Sequence, residues 1–371
     1  MKKLLLAACS ALAIGSAASA ETYQATNWMS PSHILVATAY EPFLADLKAA
    51  TNGEVDFELY ASGSLVPAPT TLGAVGDGVA QLGIVAASYT PSDLPLSGLI
   101  NDLAFVATDD MATAFALTEI AMTNQRMLDE FAHHGTLVLG AYSTPTYVFL
   151  CMRPVADLAA LRGMKVRTAG TAQNEWISSL GAIPVAVPMT DVYSGLERGS
   201  IDCTLSDPTN LEAGYKFWEV AKNIITLEQG TSLGLTYVYN RDFWAGLSED
   251  NRKTLLDVTA THVAKKQIAY SSAVASAMKG SAERGVNIDE PHPSLVEALT
   301  AFRAQVIDTY PGRTAKDRGV ADPTDVANEF LTLQAKWTGL LGQIDRTDAE
   351  AVAALLREHI YGKVDLATYG L

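Results

Sequence analysis

LRGMKVRTAGTAQNEWISSLGAIPVAVPMTDVYSGLERGSIDC, residues 161–203, contains a complete unit of strand, helix and strand. Residues 164–166 are short and apolar enough for a strand, and a turn at residues 168–170 ends it. A later helix ends at Gly199, and residues 201–205 form the next strand. This order predicts a parallel crossover, and therefore an α/β fold.

Arg167 stands where the first of these strands is about to end. In open α/β sheets, ligands bind in the crevice beyond the carboxyl ends of the strands. Arginine presents a planar fork of donors that matches a carboxylate with two parallel hydrogen bonds. The position therefore predicts a small anionic ligand held by Arg167. The alternative is a surface arginine paired with a neighbouring acid.

Several motifs resemble those of the solute-binding proteins of tripartite ATP-independent periplasmic (TRAP) transporters, the DctP-type family. The family's KxR segment stands here as LRGMKVR, and its PMxEVYxALxxGxVDG run stands as PMTDVYSGLERGSIDC. Further matches are GVAQLGIVAASYTP at residues 78–91 and GYKFWEVAKNI at residues 214–224. The family's carboxylate-binding arginine corresponds to Arg167. The resemblance covers nearly the whole chain after the first twenty residues.

This resemblance implies a fold and a function. The implied fold has two α/β lobes joined by strand hinges. The implied function is extracytoplasmic capture of a small organic acid, which the protein delivers to an ion-coupled permease with small and large membrane subunits. An ABC-type solute-binding protein would share the lobes, but it would lack this succession of motifs.

The first twenty residues have the pattern of an export signal. Lys2 and Lys3 precede an apolar run at residues 4–15, and small residues lead to a cleavage site after Ala20. Residues 6–9, LAAC, also resemble a lipoprotein site, but cleavage there would leave too short an apolar core. No later segment approaches the ~20 apolar residues of a membrane-spanning helix. The expected location is the periplasm.

The charge balance excludes some classes of partner. Cleavage would leave 371 − 20 = 351 residues with 26 − 2 = 24 basic and 41 acidic side chains, a net charge of −17. Such a chain repels nucleic acid and anionic membranes. The six histidines are scattered without a metal-binding spacing, so no metal or cofactor is expected. Because the overall charge does not attract an anion, a local cation must hold it.

Two crossings of the chain, at residues 143–145 and 228–230, are predicted to join the lobes. A helix over residues 248–284 is long enough to span both of them. A last amphipathic helix over residues 348–361 suits packing or dimerisation, so both a monomer and a homodimer stay open. The predicted lobes are residues 21–143 plus 232–262 and residues 144–231 plus 263–371.

Other candidate ligand-binding residues fall just past strand ends. Trp28 and Tyr89 would cover the apolar body of a ligand, although core packing is the commoner fate of such side chains. Trp176 and Tyr237 are weaker candidates of the same kind.

The segment CTLSDP at residues 203–208 departs from the family pattern, which commonly has AENP with an asparagine that supports the ligand carboxylate. Ser206 and Asp207 stand there instead. Asp207 could pair with Arg167 in the empty state, receive the cationic group of a zwitterion, or be a solvated loop acid. Thr209 and Asn210 could replace the lost amide.

Two further patterns leave alternatives open. Cys151 and Cys203 remain after processing, and free buried thiols are favoured over a disulfide. GTSLG at residues 230–234 fits the G-x-S-x-G pattern of serine hydrolases, with Ser232 as nucleophile and His262 or His292 downstream. That chemistry needs a strand–turn–helix, whereas the sequence after Ser232 is strand-like. A binding protein is therefore favoured over an enzyme.

Overall fold

The computed structural model describes residues 22–371, so the predicted export signal lies outside the described residues. Two β-sheets form the frame of the protein. The first has the strand order β2-β1-β3-β10-β4, and the second has the order β11-β9-β5-β8-β6-β7. The strands are β1 (Thr22–Thr26), β2 (Asp56–Tyr60), β3 (Leu82–Val85), β4 (Thr136–Ser143), β5 (Val148–Cys151), β6 (Lys165–Thr168), β7 (Ile183–Ala186), β8 (Cys203–Ser206), β9 (Asn223–Ile225), β10 (Leu233–Asn240) and β11 (Asn287–Asp289).

Helices cover both sheets. No helix within residues 22–371 combines the length and the apolar character needed to cross a membrane. The α-helices are α1 (Glu41–Ala50), α2 (Thr71–Gly76), α3 (Pro95–Leu103), α4 (Asp110–Thr123), α5 (Gln125–His133), α6 (Thr171–Ser179), α7 (Val192–Glu197), α8 (Arg241–Gly246), α9 (Glu249–Glu283), α10 (Pro293–Arg318), α11 (Thr324–Leu341) and α12 (Ala349–His359).

The predicted crossover unit lies in the second sheet, and the α/β fold class is confirmed. β6 pairs in parallel with both β7 and β8. α6 connects β6 to β7, and α7 connects β7 to β8. The edge strand β7 was not predicted, because its four residues include a proline and its side chains are half-buried or exposed.

The chain passes between the sheets at residues 144–147 and again at residues 226–232. The two segments are bonded to each other: Thr144 N–H donates to Ser232 O at 2.9 Å, and Tyr147 N–H donates to Gly230 O at 2.7 Å. Gly230 has φ +80°, and a Cβ atom there would collide with the backbone of Phe105. The second passage therefore requires glycine at this position.

The long helix α9 has 35 residues and is about 50 Å long. Its amino end is capped by Ser248, whose hydroxyl accepts from Asn251 N–H. α9 packs against α1, β4 and α12, and near its middle Tyr270 donates to Asp207, just after β8. The helix thus contacts elements of both sheets.

The prediction that all of residues 263–371 belongs to the second lobe is wrong. α11 packs on α4, and α12 packs on α9, both beside the first sheet. The hydroxyls of Tyr361 and Tyr369 donate to the β4 carbonyls of Leu139 and Val138, each at 2.7 Å. Buried hydroxyls need such partners, and β4 supplies them at this edge of the first sheet.

The preference for free thiols is also wrong, because Cys151 and Cys203 form a disulfide. The two residues lie directly opposite each other on the antiparallel strands β5 and β8, with Cα atoms 4.0 Å apart. A separation of 52 residues along the chain does not reveal that register.

Lys266 of α9 is fully buried, and its ammonium group donates to Ala141 O at 2.6 Å. Within residues 22–371, no carboxylate oxygen lies within 4.0 Å of it. Burial lowers the pKa of Lys266 from 10.5 to about 7. Between these two values the folded protein binds fewer protons than the unfolded chain, so stability should rise with pH across that window.

We therefore expect Lys266→Met to be more stable than the natural protein at pH 7, with the gap narrowing towards pH 10. Urea unfolding of both proteins at several pH values measures this. Lys265→Met, at the exposed neighbouring position, is the control and should follow the natural protein. Parallel stability curves for Lys266→Met and the natural protein would contradict the prediction.

Candidate functional site

Arg167 is the third residue of β6 and is fully buried. Its Nε donates to Val187 O at 3.0 Å, and Nη1 donates to Leu205 O at 3.5 Å. Nη2 donates to the hydroxyl of Tyr89 at 3.2 Å. Since Tyr89 follows β3 of the first sheet, the guanidinium reaches from the second sheet to the first.

This guanidinium has no acidic partner in the part of the chain that the structure describes. No carboxylate oxygen of residues 22–371 lies within 4.0 Å of Arg167. Three of its five N–H donors are used, which leaves two. A buried charge without a counter-ion is costly, and an anion that supplies both charge and acceptors relieves that cost.

A small cavity lies between the two sheets, beside Tyr89. Its volume is about 30 Å³. Trp28 and Tyr89 contact each other edge to face, with ring centroids 5.6 Å apart. Both residues also line the cavity. The aromatic lining residues are Trp28, Tyr89, Tyr142, Tyr147, Tyr215 and Tyr270.

Three polar atoms of the lining residues are shielded from solvent and have no hydrogen-bond partner in the protein. They are Trp28 Nε1, Asn210 Oδ1 and the hydroxyl of Tyr215. A polar molecule in the cavity would find these three atoms free to bond. The walls thus offer a donor, an acceptor and a hydroxyl to a bound molecule.

Asp207 lines the same cavity and is fully buried, so the solvated-loop alternative is wrong. Thr209 donates to Oδ1 through its N–H at 3.0 Å and also through its hydroxyl. Asn210 Nδ2 and the Tyr270 hydroxyl donate to Oδ2, at 2.8 and 3.1 Å. Burial raises the pKa of Asp207 to about 6, although the bonds from Thr209 and Tyr270 oppose that rise. Asp207 and Arg167 do not form an ion pair in this conformation. The alternative in which Asp207 pairs with Arg167 is therefore wrong for it.

Ser206 and Asn210 occupy different layers of the site. Asn210 faces the cavity, and its Nδ2 also donates to Ser206 Oγ at 3.0 Å. Ser206 is fully buried and is not part of the lining, so it contacts the site through Asn210. Thr209 likewise acts through Asp207.

Trp176 and Tyr237 do not line this cavity. Trp176 is packed beside Phe105 and Phe302, and its Nε1 donates to Gln229 at 2.6 Å. Tyr237 packs on Phe43, with ring centroids 4.4 Å apart. Its side chain lies in the core beneath the first sheet, because alternate residues of β10 face opposite sides of that sheet.

Sequence reasoning missed several lining residues, among them His33, Tyr142, Tyr147 and Tyr270. Tyr147 adjoins the first passage between the sheets, which was a usable signal. His33 Nδ1 accepts from Leu35 N–H at 3.1 Å. Burial lowers the pKa of His33 to about 4, although the Asn210 side chain opposes this, so the ring is neutral at pH 7.

The geometry of a serine hydrolase is not formed at Ser232. This residue lies directly before β10, and its N–H donates to Thr144 Oγ1 at 2.9 Å. A nucleophile elbow would need a helix there. His262 contacts Asp46 at 2.8 Å, and His292 caps α10, so neither candidate base reaches Ser232.

Comparison with known proteins identifies the same architecture. The profile of the DctP family, described as bacterial extracellular solute-binding protein, family 7, matches residues 25–312. The outer membrane transporter protein TsaT of Comamonas testosteroni is 22% identical over 312 residues, which are 84% of this chain and 91% of that protein.

Two solved structures share the fold. A TRAP solute-binding protein from Rhodoferax ferrireducens, in complex with copurified benzoate, has a TM-score of 0.77 and 20% identity, and the match covers 86% of this chain and 99% of that one. DctP7 of Bordetella pertussis, an extracytoplasmic solute receptor binding pyroglutamic acid, has a TM-score of 0.73 and 20% identity, covering 85% and 100%.

Proposed function

This chain belongs to the bacterial extracellular solute-binding proteins of family 7, and we propose that it captures a small organic acid and delivers it to a TRAP-type transporter. Arg167 binds the carboxylate of the acid with its two free donors. Trp28, Tyr89 and the other aromatic side chains enclose the apolar body of the ligand, and Asn210 completes the polar contacts.

One observation carries this proposal: a fully buried guanidinium with no acidic partner in residues 22–371 donates to Tyr89, a wall residue of an aromatic-lined cavity that Arg167 itself does not line. A ligand carboxylate would supply the missing charge in a place where water is excluded, so the ion pair is stronger there than at the surface. The benzoate and pyroglutamate bound by the two structural relatives support a carboxylate ligand.

The proposal includes a change of conformation. A cavity of about 30 Å³ between the lobes is narrow for an organic acid, so we infer that the lobes separate for entry and close again around the ligand. Binding would shift the population towards a closed form that the membrane-embedded permease subunits recognise. The ligand is released unchanged, and native mass spectrometry should recover it intact.

The proposed place of action is the periplasm, after export and cleavage behind Ala20. Amino-terminal sequencing of the protein recovered from the periplasm should begin at Glu21. A first residue elsewhere would overturn this cleavage site.

Calorimetry with matched pairs of compounds tests the proposed function. We expect carboxylates to bind and their uncharged primary amides to bind at least about 100-fold more weakly, because the amide leaves the Arg167 charge uncompensated. Benzoate with benzamide and pyroglutamate with its amide are suitable pairs, together with any acid that copurifies. Equal affinity for an acid and its amide would contradict the proposal.

A further inference from the structure

We propose that the ligand is a zwitterion that carries a methylated ammonium group as well as its carboxylate. This inference rests on the proposed function, since the carboxylate is the group assigned to Arg167. The ammonium group is assigned to the tyrosine-lined side of the cavity, next to Asp207.

The site holds two opposite charges that do not neutralise each other. Arg167 and Asp207 are both fully buried, and neither has an ion-pair partner within 4.0 Å in residues 22–371. Burial raises the pKa of the Tyr147 and Tyr215 hydroxyls; the Arg167 charge opposes that rise, and the Asp207 charge adds to it. Both charges therefore act on the same two hydroxyls of the cavity wall. A simple acid would neutralise Arg167 and leave the Asp207 charge without a counter-ion, whereas a zwitterion neutralises both.

The hydrogen bonds of Asp207 limit the kind of cation. Its carboxylate already accepts four hydrogen bonds, two on each oxygen, which fills its acceptor positions. The charge still attracts a cation, but no lone pair is free for an N–H donor. A primary ammonium group brings three donors, none of which finds a free lone pair on Asp207, whereas a trimethylammonium group has no donor to satisfy.

The aromatic walls suit such a group. Five tyrosines line the cavity together with Asp207: Tyr89, Tyr142, Tyr147, Tyr215 and Tyr270. A cation over an aromatic face is attracted by the negative potential of the ring, and weakly hydrated methylated cations are the ligands that aromatic cages bind. In the described residues the cation–aromatic pairs of the protein lie at other rings, those of Trp218, Trp244, Tyr310 and Trp337. None of those pairs involves a ring that lines the cavity.

Calorimetry on the protein without its first twenty residues tests this inference. The probes are trimethylammonium carboxylates with one to four carbons between the two groups. Each is paired with its neutral isostere, in which a tert-butyl group replaces trimethylammonium, and with the unmethylated amino acid. We expect at least one trimethylammonium compound to bind about tenfold or more tightly than both of its partners.

Asp207→Asn should reduce that preference for the zwitterion over its isostere to near one, because the amide keeps the shape without the charge. Asp191→Asn, at an exposed position, is the matched control and should keep the preference. If Asp207→Asn does not fold, the comparison of compounds on the natural protein still decides. Isosteres or unmethylated amino acids that bind as tightly as the zwitterions overturn this inference and leave the proposed function standing. No binding by any carboxylate overturns both.

Discussion

Arg167→Ala is expected to lower the affinity for the carboxylate ligand by roughly 100- to 5,000-fold. Removing one partner of a buried charge pair strands the other, at a cost on the order of 3–5 kcal/mol. In this protein the stranded group would be the ligand carboxylate, which the aromatic side chains enclose. The lining of the cavity, as the structure describes it, contains no lysine or arginine that could replace Arg167. Titration calorimetry with an acid that the natural protein binds measures the loss.

The same variant should not unfold. The guanidinium bonds only to two carbonyl oxygens and one hydroxyl, and its buried charge has no partner to lose. Arg162→Ala, which changes an exposed arginine in the turn before β6, should bind as the natural protein does. Arg167→Lys keeps the charge but loses the fork of donors, so we expect an intermediate affinity. A folded Arg167→Ala that retains the natural affinity would contradict the assignment.

The position of Arg167 was predictable because local sequence determines it. The apolar run of β6 and the turn at Gly170 place the arginine at a strand end whatever the rest of the chain does. The same is true of Trp28, Tyr89 and Asp207, each of which directly follows a strand or a strand-end turn. Such residues converge because the carboxyl ends of strands face the crevice.

The residues that sequence reasoning misplaced depend on long-range contacts. Tyr270 lies within the long helix α9. Its position in the helix does not reveal that Asp207 lies opposite. Tyr237 and Trp176 are aromatic and near the site in sequence. Their side chains nevertheless lie in the core, because of the orientations of β10 and α6. α11 and α12 follow α10 in sequence, but they pack on α4 and α9 beside the first sheet, and the tyrosines after α12 bond to β4.

Replacing both Cys151 and Cys203 with alanine is expected to destabilise the protein by about 4 kcal/mol. The disulfide closes a loop of 52 residues, and its loss returns that conformational entropy to the unfolded chain. For a protein of this size, the expected fall in the melting temperature is about 5 °C. Thermal unfolding of the oxidised natural protein and of the double variant measures it.

The disulfide also joins the strands that support the site, since β8 continues directly into Asp207 and β6 pairs with β8 at Arg167. Loss of the regular pairing between β5 and β8 would therefore displace both charged side chains, Arg167 and Asp207. We expect the double variant to bind its ligand more weakly even at a temperature where it is folded. The natural protein treated with a reductant is the control, and it should resemble the variant in both stability and affinity. Two titratable thiols in the denatured protein from the periplasm, without reductant, would show that the bond does not form and would overturn this prediction.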